Sequence, residues 1–83
     1  MSIFQEYLED FIVHMKHKLL VHKNKGGFER LSSAELVKLM KAEVKELEQA
    51  ISAGDNAEMI RESADIANYA MMIAMKTQNR REV

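Results

Sequence analysis

The stretch LSSAELVKLMKAEVKELEQAISAGDNAEMIRESADIANYAMMIA (31–74) holds two helices with readable ends. Ser32 followed by Glu35 is a capping box, in which each residue's side chain satisfies the other's free backbone N–H. Leu31 and Leu36 occupy the two positions of a hydrophobic staple around it, so the spacing predicts a helix over 33–53. Gly54 stops that helix, because glycine takes the left-handed closing conformation at little cost. Asp55 and Glu58 repeat the capping-box spacing and open a second helix, predicted over about 56–78. A turn this short makes the two helices antiparallel.

Working outward, Ser2 and Gln5 form another capping-box pair upstream. Phe4, Leu8, Phe11, Ile12, Met15 and Leu19 keep helical spacing, and a helix over about 2–24 is predicted to end at Gly26 and Gly27. The terminal NRREV (79–83) reads as a frayed tail. A chain of 83 residues with no proline, three glycines and seven methionines is all-α, and its length reads as one domain over 1–83. Size scaling has such a chain bury roughly 63% of its unfolded surface, a thin margin that oligomerisation would widen. Ile66 to Met75 carries no charge, Asn68 being its one clearly polar side chain. A helix apolar on all sides must be covered on all sides. Three helices from one chain do not supply that cover, so the expectation is a homo-oligomer completing a four-helix-type bundle.

Composition excludes several function classes. There is no cysteine, which removes disulfides, thiolate zinc, Fe–S clusters and cysteine nucleophiles. The longest uncharged run, ten residues, is too short to cross a bilayer. The start MSIFQEYLED has acids where a signal peptide needs bases, so a cytoplasmic location is expected. A net charge of −1 gives no general affinity for a nucleic-acid polymer.

Two acid pairs, Glu43/Glu46 and Glu62/Asp65, lie in mid-helix and fit no capping role. On a wheel with Leu36 at zero, Glu43 falls at about 340°, inside the apolar arc, and Glu46 at about 280°, beside Leu39. Glu43, Glu46 and Glu62 have no Lys or Arg three or four residues away, and Asp65 has only Arg61. Glu46 and Glu62 are each eight residues from Gly54, and Glu43 and Asp65 are each eleven. The equal helical rise brings the four carboxylates level across the hairpin. Facing carboxylates about 5 Å apart repel by about 3 kcal/mol at an effective dielectric of 20, so protons or a divalent cation must relieve them. Oxygen-only ligands suit Mg²⁺, with Mn²⁺ as a substitute.

Glu43-x-x-Glu46, fifteen residues, then Glu62-x-x-Asp65 resembles the ExxE…ExxD signature of the MazG-like all-α NTP pyrophosphatases. The likeness extends to KLLVHKNKGGFERLSSAELVKLMKAEVKELEQAI (18–51) and RESADIANYAMMIA (61–74). It implies a nucleoside triphosphate substrate, cleaved between the α and β phosphates by metal-activated water to a monophosphate and pyrophosphate. It also implies that Glu43, Glu46, Glu62 and Asp65 hold Mg²⁺, and that neighbouring chains of a dimer or tetramer build the site together. The chain departs from some relatives in having Ala42 where they carry a further acid, and Phe28 where many have Trp. Two other readings stand beside this one: a related enzyme acting on another nucleotide such as phosphoribosyl-ATP, and a non-catalytic helical interaction module.

The candidate substrate contacts are Lys18, Lys25, Arg61, Asn68 and Tyr69. Lys18 and Lys25 match positions in the resembling segment, within a basic stretch that also suits a helix C-terminus. Arg61 reads either as a phosphate contact or as a partner of Asp65 or Glu58. Asn68 reads as a ligand contact or a bundle contact, and Tyr69 as a base-stacking or an interface residue. His14, His17 and His22 have poor chelating spacing and read as surface or packing residues. Met71, Met72 and Met75 read as adaptable core.

Overall fold

The computed structural model describes the backbone of residues 2–21 and 28–81, and the side chains of 3–21 and 28–78. Three helices, α1 (Ser2–Val21), α2 (Ser33–Ala53) and α3 (Asn56–Arg81), are joined with a 3₁₀ turn over Phe28–Arg30. The described residues contain no strand, and the fold is all-α as expected.

The start of α2 follows from its sequence. Ser32 Oγ accepts from the Glu35 N–H at 3.0 Å, and Glu35 Oε1 accepts from the Ser32 N–H at 2.8 Å. Both halves of the capping box are therefore made. Its end is equally legible. Gly54 has φ 68°, its N–H donates to the Ile51 carbonyl, and the Asp55 N–H donates to the Ala50 carbonyl at 3.0 Å. A side chain at that φ would strain the backbone, which is why glycine stands there.

The α3 start differs from expectation. Asp55 Oδ1 accepts from the Glu58 N–H at 3.1 Å, which is half of the expected box. The Glu58 side chain turns to Arg61 instead of reaching back. At the other end α3 continues to Arg81 because nothing in 79–81 breaks a helix, so those residues are helical rather than frayed. Residues 22–24, both glycines at 26 and 27, Lys25, His22 and the Ser2 side chain lie outside the described residues. The Gln5 amide donates forward to Glu9 at 3.4 Å.

Helices α2 and α3 form the hairpin, and α1 packs against α3. The buried line of α2 runs through Leu36 and Ala50, with Glu43 and Leu47 half-buried between them. Glu43 thus sits on the inward face, and Val44 and Ile51 are on the exposed flank of the apolar arc. On α1 only the C-terminal half of the apolar stripe turns inward. Phe11, Met15 and Leu19 are half-buried, whereas Phe4, Leu8 and Ile12 face outward. The methionines of α3 are a correction: Met71 and Met75 are exposed, and Met72 alone of the three is half-buried.

Candidate metal centre

Among the described residues the buried apolar side chains are Leu36, Ala50 and Ala64, and the buried polar ones are Glu62, Asp65 and Asn68, at 4–6% exposure. A helical hairpin whose centre holds as many polar as apolar side chains is expensive unless those groups find partners.

Glu43, Glu62 and Asp65 each offer an oxygen, and the three oxygens lie within 4.8 Å of one another. Glu46, Glu58 and Glu62 form a second group meeting the same limit. Glu62 belongs to both. The hairpin turn at Gly54 thus brings the four expected acids to one place, in two overlapping sets rather than one. Glu58 is the member that sequence reasoning missed. Its place in a first-turn capping box explained it too easily, although it lies four residues before Glu62 and so on the same helix face.

The electrostatics agree with crowding. Burial, then the charges of Asp65 and Glu46, push the Glu43 carboxyl up to about 7. Burial, then hydrogen bonding with Glu58 and the charges of Glu43 and Glu46, push Glu62 up to about 8. Glu58 moves the other way, held below the usual carboxylate range by hydrogen bonds from Glu62 and Arg61. Glu62 Oε1 is buried with no hydrogen-bond partner. A buried carboxylate oxygen left unpaired among other acids fits a hard divalent cation, which carries the charge the cluster needs.

The other expected residues divide. Lys18 Nζ lies 3.3 Å from Asp65 Oδ2, with both side chains largely buried, so it is at the site but on an acid. Periodicity within one helix could not show this pair, because it joins α1 to α3. Arg61 pairs with Glu58 rather than Asp65, its Nε donating at 2.9 Å. Asn68 Nδ2 donates to the Met15 carbonyl at 3.1 Å, which fastens α1 to α3, while its Oδ1 is buried without a partner. The half-buried Tyr69 hydroxyl is pushed above its usual range by burial and by the charges of Glu43 and Asp65. His14 and His17 are exposed and belong to neither acid group.

The phosphoribosyl-ATP pyrophosphohydrolase family model matches residues 8–79, which include both acid motifs and the helices that carry them. No curated protein and no solved structure matches the chain. The family consists of metal-dependent hydrolases of phosphoric anhydride bonds, in accord with the acidic centre and against the interaction-module reading. The chain belongs to the phosphoribosyl-ATP pyrophosphohydrolase family, within the MazG-like all-α NTP pyrophosphatase superfamily.

Proposed function

We propose that this pyrophosphohydrolase cleaves the α–β anhydride of a nucleoside or deoxynucleoside triphosphate, giving a monophosphate and pyrophosphate, with Mg²⁺ as its ion. The observation that carries the reading is Glu62, buried in the hairpin with an unpartnered oxygen and flanked by Glu43 and Asp65. These three, with Glu46 alongside, would hold the ion. Mn²⁺ satisfies the same oxygen donors. A bound divalent ion there supplies positive charge against the triphosphate and makes water a better nucleophile at neutral pH.

The remaining work belongs to the protein. Lys18 holds Asp65 in place and offsets one charge. Glu43 and Glu62 keep protons that an entering cation displaces, so affinity for the ion rises with pH. Tyr69, whose hydroxyl stays protonated, is a donor toward an anionic substrate. A second reading, favoured by the matched family, has phosphoribosyl-ATP as the substrate. It carries the same α–β anhydride, so the chemistry at the acids is unchanged. We also place the chain in a homodimer or homotetramer and in the cytoplasm. No helix among the described residues is long and apolar enough to cross a membrane.

The test is substitution of Glu43 or Asp65 by Ala. Each is expected to cut metal-dependent pyrophosphate release by about 100-fold or more, with helix content retained in circular dichroism. Full turnover in both variants would remove the acid cluster from the reaction.

A further inference from the structure

Asn68 is the one clearly polar side chain between Ile66 and Met75, and it is 4% exposed. Its Nδ2 donates to the Met15 carbonyl at 3.1 Å, from α3 to α1, while its Oδ1 is buried with no hydrogen-bond partner. An unpaired buried oxygen destabilises a fold, and a leucine would fill similar space without one. What an amide supplies at a helix–helix contact is register: it favours one alignment of the two helices and penalises the others, at a cost in stability.

That alignment bears on the acid centre. Met15 and Lys18 are three residues apart on α1, and Asp65 and Asn68 are three apart on α3. The Asn68–Met15 and Lys18–Asp65 contacts therefore belong to one antiparallel register, a turn apart. The apolar stripe of α1 does not fix this register by itself. Phe4, Leu8, Phe11, Met15 and Leu19 recur every three or four residues, so sliding α1 by a turn exchanges one apolar residue for another. The same slide takes Lys18 from Asp65 and brings no second lysine or arginine there. Three and four residues before it stand Met15 and His14, and three and four after it Val21 and His22.

We propose that Asn68 is a positioning residue, which locks the register of α1 on α3 and so delivers Lys18 to Asp65. The inference rests on the proposed function only in giving the acid centre a reaction to run.

Register can be measured without turnover. The chain has no cysteine, so two introduced cysteines carry spin labels at known places. His17→Cys on α1 and Thr77→Cys on α3 use exposed positions. The labelled protein is diluted into unlabelled chain, and the label separation is read by pulsed electron paramagnetic resonance. One narrow separation is expected with Asn68 in place. Asn68→Leu should shift it by about 5 Å, one helical turn, or split it between two registers, with helix content retained in circular dichroism. Asn68→Ala removes the amide with less bulk and carries the same expectation should the leucine variant not fold. Lys18→Met should leave the separation unchanged, because Asn68 still sets the alignment. Turnover gives the second readout. Asn68→Leu and Lys18→Met should each lower metal-dependent pyrophosphate release by at least about tenfold, and the double variant should fall no further, because one residue acts through the other. An unshifted separation without the amide would overturn the proposal, as would a double variant whose loss is the product of the two single losses. A wild-type chain that releases no pyrophosphate from any nucleotide would overturn the proposed function, and the label separation would still decide the role of Asn68.

Discussion

In the metal-free protein Glu62 keeps its proton up to about pH 8 and Glu43 up to about pH 7. Both values lie above the ordinary 4.5 of the unfolded chain, so the folded state holds more protons between roughly pH 4.5 and 8. The stability these groups contribute is complete below pH 4.5 and is lost as pH rises through 7 to 8. Glu62→Gln cannot ionise and removes most of this slope. It is expected to be less stable than or equal to the metal-free wild type at pH 5, and more stable by about 1–3 kcal/mol at pH 9. Saturating Mg²⁺ should reverse that order at high pH, since only the wild type gains the ion. Chemical denaturation at the two pH values, with and without Mg²⁺, measures the difference. A variant less stable than wild type at pH 9 without metal would show that the acids do not repel. The clustering of the four acids was legible because their spacing from Gly54 is symmetric and Glu43, Glu46 and Glu62 lack basic neighbours in sequence. Glu58 and the Lys18–Asp65 pair were not. One had a sufficient local explanation, and the other is a contact between helices distant in sequence.

At the scale of the element, the α2–α3 hairpin is what sets the four acids level. Its register depends on where α2 starts and stops, and both ends are local chemistry. Ser32→Ala removes the acceptor for the Glu35 N–H and should cost about 1 kcal/mol, a fall in Tm of about 4–8 °C in a chain of this size. Turnover per folded molecule with saturating Mg²⁺ should hold, because the cap does not touch the acids. A melt unchanged by the substitution would mean that packing alone starts the helix. Sequence reading located α2 well for the same reason that this prediction is possible: its signals are contacts three residues apart. It placed the end of α3 too early, because a polar run such as 79–81 weakens a helix without terminating it. The α1 stripe was read as one buried face, but burial depends on whether a neighbour reaches that far along the helix.

The whole chain is more open than its length requires. Its radius of gyration is 14.0 Å, against about 12 Å for a compact chain of this size. Its accessible surface is 6526 Å², against about 5,100 Å² by mass scaling. Much of the excess apolar area is on α1, where Phe4, Tyr7, Leu8, Ile12 and Val13 are exposed, with Phe4 and Tyr7 in edge-to-face contact at 6.2 Å. The sequence pointed to α3 as the helix needing cover. Helices α2 and α1 cover one side of α3, Ala70, Met71, Ala74 and Met75 stay exposed, and α1 adds an uncovered apolar face of its own. If copies of the chain cover this face, sedimentation should give a dimer or tetramer. The double substitution Leu8→Glu and Val13→Glu should shift it to the monomer and weaken folding. A wild-type monomer at micromolar concentration would contradict the oligomer.

The most direct measurement is of products. The protein is incubated with each common NTP and dNTP and with phosphoribosyl-ATP, with and without Mg²⁺, and pyrophosphate and orthophosphate are assayed separately. One pyrophosphate and one nucleoside monophosphate (phosphoribosyl-AMP from phosphoribosyl-ATP) should form per substrate consumed, only with the metal and without orthophosphate. Orthophosphate with a nucleoside diphosphate would place the cleavage at the β–γ bond and contradict the account.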